Sequence, residues 1–117
     1  FILMRGLLAG VLLFALGQSM IWIQTNGQFV WPWFKKNPIT ISIVGGSIIS
    51  YMFILATKFI AEYYDGQIWP GRFIGFTCGI ITFTALTYYL LDEGITTKTA
   101  ICLILACCIV SIQIFWK

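Results

Sequence analysis

Residues 12–32 read LLFALGQSMIWIQTNGQFVWP, and the way Gln18 and Ser19 fit into this stretch decides the fold. The segment is apolar enough to enter a bilayer, yet it carries an amide and a hydroxyl near its centre and ends on Trp31 and Pro32. An amide left without a partner in hydrocarbon is strongly destabilising, because no water is there to replace the lost hydrogen bonds. Gln18 is therefore expected to face another helix or a wet cavity, and the stretch needs companions.

Their number follows from composition. Of 117 residues, 60% are hydrophobic and 9% charged, with a mean hydropathy of +0.94. A soluble domain devotes about a quarter of its residues to charge, so most of this surface is meant for lipid. A helical span needs roughly 20 apolar residues, and four such runs fit: Gly6–Gln24, Ile39–Ala61, Pro70–Leu91 and Thr96–Trp116. The connections WPWFKKNP, EYYDGQIW and DEGIT are too short to fold alone, so residues 1–117 are expected to form a single all-α, four-helix transmembrane domain. The opening FILMRGLLAGVLLFALGQS also has the pattern of a secretory signal, with small Ala15 and Gly17 where a peptidase would cut, although the reading as a first span is preferred. Phe1 is not an initiator, so the chain is expected either to start at Met4 or to continue upstream.

Small residues suggest where the helices approach one another. Gly6 and Gly10 share a face of the first span, Gly45, Gly46, Ser47 and Ser50 form a strip on the second, and Gly71, Gly75 and Gly79 recur every four residues on the third. Such strips let backbones pack closely in lipid. The third is expected to make a helix contact that includes a homodimer seam. Asn37-Pro38 reads as an N-cap followed by proline in the first helical turn, and Pro70 likewise marks a helix start. Trp31, Trp33, Trp69 and Trp116 fall at span ends as an aromatic belt, whereas Trp22 lies deeper, one turn beyond Gln18. Orientation is weakly set. Arg5, Lys58, Arg72 and Lys117 lie on the side holding both termini, against Lys35, Lys36 and Lys98 on the other, a balance compatible with an antiparallel dimer.

The chain resembles the small multidrug resistance proteins of the drug/metabolite transporter superfamily. In that pattern a first-span acid precedes a glycine by three positions and a Trp-Pro pair follows at a fixed interval; Gly17 and Trp31-Pro32 fall at that interval here. The segment LTYYLLDEGITTKTAICLILACCIVSIQI looks like the end of the family's third helix, its polar turn and its fourth helix, and Gly79 falls on a third-helix glycine. The loop after the second span is about four residues longer than the usual pattern. The position matching the family's embedded acid is Phe14, and the aromatic substrate positions fall near Arg72 and Gly75, so proton-coupled cation export does not carry over. Gly17-Gln18 is also similar to the first span of the paired proteins that flip aminoarabinose-bearing undecaprenyl phosphate. The resemblance implies a bacterial-type inner membrane and a homodimer or a partner membrane protein.

Taken singly, the polar residues suggest few sites. Gln18 and Ser19, with Trp22 a turn away, are candidates for substrate contact or for interhelical hydrogen bonding. Arg72, in the first turn of the third span, can snorkel to headgroups, join Glu62 or Asp65, or hold a phosphate through its fork of donors. Lys58 and Glu62, four apart, are expected to pair. Lys35 and Lys36 look like headgroup anchors, and Asp92 and Glu93 like a solvated turn. Cys78, Cys102, Cys107 and Cys108 lie within spans, in a chain without histidine, and read as packing residues. No nucleophile with its base, metal cluster or phosphate loop is present in the sequence, so neither an enzyme, a cofactor, a metal nor a nucleic-acid partner is expected. Two functions fit: a small transporter or lipid-linked flippase half, or a non-transporting scaffold or accessory subunit.

Overall fold

A computed structural model describes the backbone of residues 2–116 and the side chains of residues 4–116. The first run becomes α1 (Ile2–Asn26), which passes through a 3₁₀ turn (Gly27–Phe29) into a short α2 (Pro32–Lys36). The other runs become α3 (Pro38–Tyr63), α4 (Trp69–Leu91) and α5 (Thr97–Phe115), and no strand occurs among the described residues. Four helices are long and apolar enough to cross a bilayer. The protein is an all-α membrane protein.

Local chemistry sets the helix ends. Pro38 and Pro70 occupy the first turns of α3 and α4, where a missing N–H leaves nothing unpaired. Asn37 precedes α3 as expected, but its side chain does not cap that helix. Its Nδ2 donates instead to the Trp33 carbonyl at 2.9 Å, which closes α2. The N-cap of α5 is Thr96, whose hydroxyl accepts from the Thr99 N–H at 3.2 Å. At the far end of α4, Asp92 takes a left-handed conformation (φ 54°), a geometry that aspartate tolerates better than most residues.

α1 packs on both α3 and α4, which also touch each other, while α5 leans on α4. The core is small: Phe14, Ala56, Ile60 and Ile74, flanked by half-buried Val11, Phe53, Cys78 and Ile114. Most large apolar side chains, such as Ile43, Ile81 and Ile104, face outward. In water this would be a severe aggregation hazard; in a bilayer it is the surface that lipid wets, and helix association rests on close packing.

Glycines provide that packing. A Cβ on Gly10 would lie 2.5 Å from Ile60 Cγ1, and one on Gly17 would lie 2.5 Å from Phe53 Cε1, so α1 meets α3 through both positions. The α4 stripe meets partners from the same chain: Ile60 over Gly71, the Phe14 ring over Gly75 and the Gln18 amide over Gly79. The stripe thus makes the expected helix contact within the chain, and its three glycines also border an open cleft. On α3, Gly45 and Gly46 lie against Gln24, whereas Ser47 is exposed and bonds back to the Ile43 carbonyl at 2.8 Å.

The exposed Trp31 and Trp33 flank Phe34 beyond the end of α1, and exposed Trp69 and Trp116 mark the opposite face. With aromatic anchors at both faces and basic residues balanced between them, charge is left as a weak determinant of insertion. Adding two lysines at either end should shift the orientation measurably, as read by a C-terminal reporter. One fixed orientation, insensitive to the added charge, would show that other features control insertion.

Candidate functional site

Phe14, Gln18 and Trp22 are spaced four residues apart and therefore share one face of α1, which meets α4. Gln18 Nε2 donates to the Gly75 carbonyl at 3.3 Å. Since that carbonyl can only accept, the amide nitrogen must face it, and this fixes the other end: Oε1 lies 3.0 Å from where a Cβ on Gly79 would stand. Among the described residues nothing donates to this oxygen. The amide that the sequence requires to avoid lipid is half satisfied by α4 and half open.

The open half borders a cleft of about 720 Å³ between α1, α3 and α4. Its walls are aromatic: Phe14, Phe53, Trp69, Phe73, Phe76 and Phe83. Its polar groups are Gln18, Thr57 and Arg72, and no carboxylate lines it. Arg72 is exposed in the first turn of α4, beside the stacked rings of Trp69 and Phe73 (centroids 6.1 Å apart). Neither Glu62 nor Asp65 forms an ion pair with it, so a guanidinium with free donors stands at the surface end of an aromatic cleft. Tyr64, next to α3 on the same side, has its phenol pushed above the ordinary value, first by burial and then by Tyr63. It stays neutral and adds no charge there.

Of the four substrate-contact candidates, Gln18 and Arg72 come together in this cleft, and Ser19 and Trp22 do not. Ser19 Oγ bonds back to the Ala15 carbonyl at 2.8 Å, the usual way for a serine to satisfy itself within a helix. Trp22 is only 2% exposed and donates Nε1–H to the buried Thr87 Oγ1 at 2.9 Å, so it pins α1 to α4 and is closed to a ligand. The expected Lys58–Glu62 pair is not formed. Both side chains are exposed near the end of α3, where water or headgroups can satisfy each separately.

No family model, curated protein or solved structure matches this chain. The site is therefore read from its own chemistry.

At the position where the resemblance places an acid, Phe14 is buried and packs tilted against Phe53 with ring centroids 5.5 Å apart. Its ring forms the cleft floor over Gly75. Sequence reasoning missed the aromatic wall, although Trp69, Phe73, Phe76 and Phe83 recur at helical spacing next to the glycine stripe. Periodicity alone assigns such a stripe equally well to lipid. A second groove, of about 380 Å³ between α4 and α5, is lined by Leu103, Ala106 and Cys107 among others. Its threonines, Thr77 and Thr84, bond back to the carbonyls of Phe73 and Ile80, which leaves it without a polar handle. Cys78 contacts the Val11 carbonyl at 4.0 Å, whereas Cys102, Cys107 and Cys108 are exposed free thiols on α5. Among the described residues no group of three or more potential ligands gathers for a metal.

Proposed function

We propose that the protein is a small membrane transporter or lipid-flippase half of the drug/metabolite transporter type, whose cleft takes a neutral or anionic amphiphile. The observation carrying this reading is the pairing, in one aromatic cleft, of an unpaired guanidinium at the surface end with an amide deeper in the span. A phosphate suits the guanidinium, and an acyl or prenyl chain suits the aromatic wall. Phe76 and Phe83, 41% and 52% exposed, open the cleft sideways toward the bilayer. A membrane-dissolved ligand therefore has a lateral way in, and the missing wall is supplied by lipid, a second copy or a partner membrane protein. Coupling to protons through α1 is not part of this reading, because Phe14 can neither hold a proton nor exchange one for a cation.

Reconstituted vesicles test it. A fluorescent phosphate-bearing lipid should cross the bilayer faster than in empty vesicles, Arg72→Gln should reduce the gain by about tenfold, the effect of losing one charge-assisted contact, and an imposed pH gradient should drive no cationic dye. Crossing no faster than in empty vesicles would leave the scaffold role. Dye-dependent proton flux abolished by changing Glu62 would instead make that carboxylate the coupling group.

A further inference from the structure

We infer that Gln18 is a specificity-determining residue: its amide oxygen accepts a hydrogen bond from the ligand, so the favoured ligand is a phosphate-bearing amphiphile whose headgroup also carries a hydroxyl or an amine. This rests on the amphiphile reading above and adds the chemistry of the headgroup. The Gln18 nitrogen is held by the Gly75 carbonyl, which prevents the amide from turning over to present a donor. Its oxygen lies over Gly79, where the absence of a side chain leaves room, and both residues line the cleft. An acceptor near mid-span with no protein donor is costly unless something fills it. The site therefore discriminates against a headgroup that has only acceptors or methyl groups.

Spacing supports a single headgroup meeting both groups. Arg72 precedes Gly79, over which the amide oxygen lies, by seven residues on α4, a rise of about 10.5 Å and nearly two full turns. The two positions thus share one face about two turns apart. A phosphate held by the guanidinium, with a hydroxyl or ammonium a few bonds away, spans that interval. A simple phosphate monoester supplies only the anion, and a trimethylammonium supplies no donor.

Matched lipid pairs isolate the donor from the charge. Phosphatidylglycerol and phosphatidylmethanol are both anionic phosphodiesters, and only the first carries hydroxyls; phosphatidylethanolamine and phosphatidylcholine are both zwitterionic, and only the first carries N–H donors. Native mass spectrometry of the detergent-solubilised protein should show the donor-bearing member of at least one pair retained about three- to tenfold more, the effect of one hydrogen bond. The pair that responds identifies hydroxyl or amine. Gln18→Leu should equalise the pair while keeping phosphate-dependent retention. Gly79→Ala, whose Cβ would crowd the amide oxygen at 3.0 Å, should narrow the preference without removing the amide. Arg72→Gln should weaken every phospholipid alike. Equal retention within both pairs by the unmodified protein overturns the role of Gln18 whatever the variants do, and leaves the amphiphile reading standing. Failure to retain any phospholipid above detergent background overturns both.

Discussion

Replacing Trp22 with alanine should destabilise the protein by about 3–5 kcal/mol, the cost of emptying a large aromatic site in a packed interior. Trp22 and Ile60 are the largest fully buried side chains, in a protein whose remaining helix surface mostly faces outward, so few other contacts can compensate. The indole also donates to Thr87 across the α1–α4 contact. Trp22→Phe keeps most of the volume and loses that bond, and Thr87 can then turn its hydroxyl to its own helix, so the expected loss is about 1 kcal/mol. Unfolding in mixed detergent micelles, followed by circular dichroism, would rank the two variants. Equal stability of Trp22→Ala and the unmodified protein would mean that the α1–α4 contact contributes little to the fold.

The four long helices were legible because span length and apolarity are properties of the chain itself. The ends of α3 and α4 fall within two residues of the expected Ile39–Ala61 and Pro70–Leu91, since Pro38 and Pro70 punctuate the chain wherever its neighbours lie. The short α2 was not legible. Five residues carry no readable period, and WPWFKKNP had the composition of a loop. Identities of contacts were legible only in part. Glycines at 71, 75 and 79 announced a close approach, but periodicity describes one helix and says nothing of what arrives: here Ile60, Phe14 and Gln18 of the same chain. Gln18 was readable as a residue in need of a partner because the cost of an unpaired amide in hydrocarbon does not depend on which helix relieves it. The exclusion of Ser19 and Trp22 from the cleft was beyond the sequence, since a serine that bonds its own helix and a tryptophan that bonds a threonine 65 residues away look the same in one dimension as ligand-binding residues.

Gly10→Ala is the sharper test of how the helices meet. Helix propensity alone favours alanine by about 1 kcal/mol, so any loss must come from packing. The new Cβ would stand 2.5 Å from Ile60 Cγ1 and 3.1 Å from the Ala56 carbonyl. Neither neighbour retreats easily: Ala56 presents backbone, while Ile60 is fully buried and stiff at its branched Cβ. α1 and α3 must therefore separate, and overpacking of this kind typically costs about 1–3 kcal/mol. Gly17→Ala makes an equally short approach to Phe53, but that ring borders the cleft and can turn into it, so the stability loss should be smaller and the cleft narrower. Gly94→Ala, with nothing within 4 Å, should be neutral. In the same micelle assay the expected order of destabilisation is Gly10, Gly17, Gly94, and a Gly10 variant as stable as the unmodified protein would show that α1 and α3 do not approach this closely. The order for ligand retention should differ. Ile60 links Gly10 on α1 to Gly71, the residue before Arg72, so pushing on it also moves the turn that carries the guanidinium. Gly10→Ala should lower the retention of all phosphate lipids together, whereas Gly17→Ala should discriminate against bulky ones.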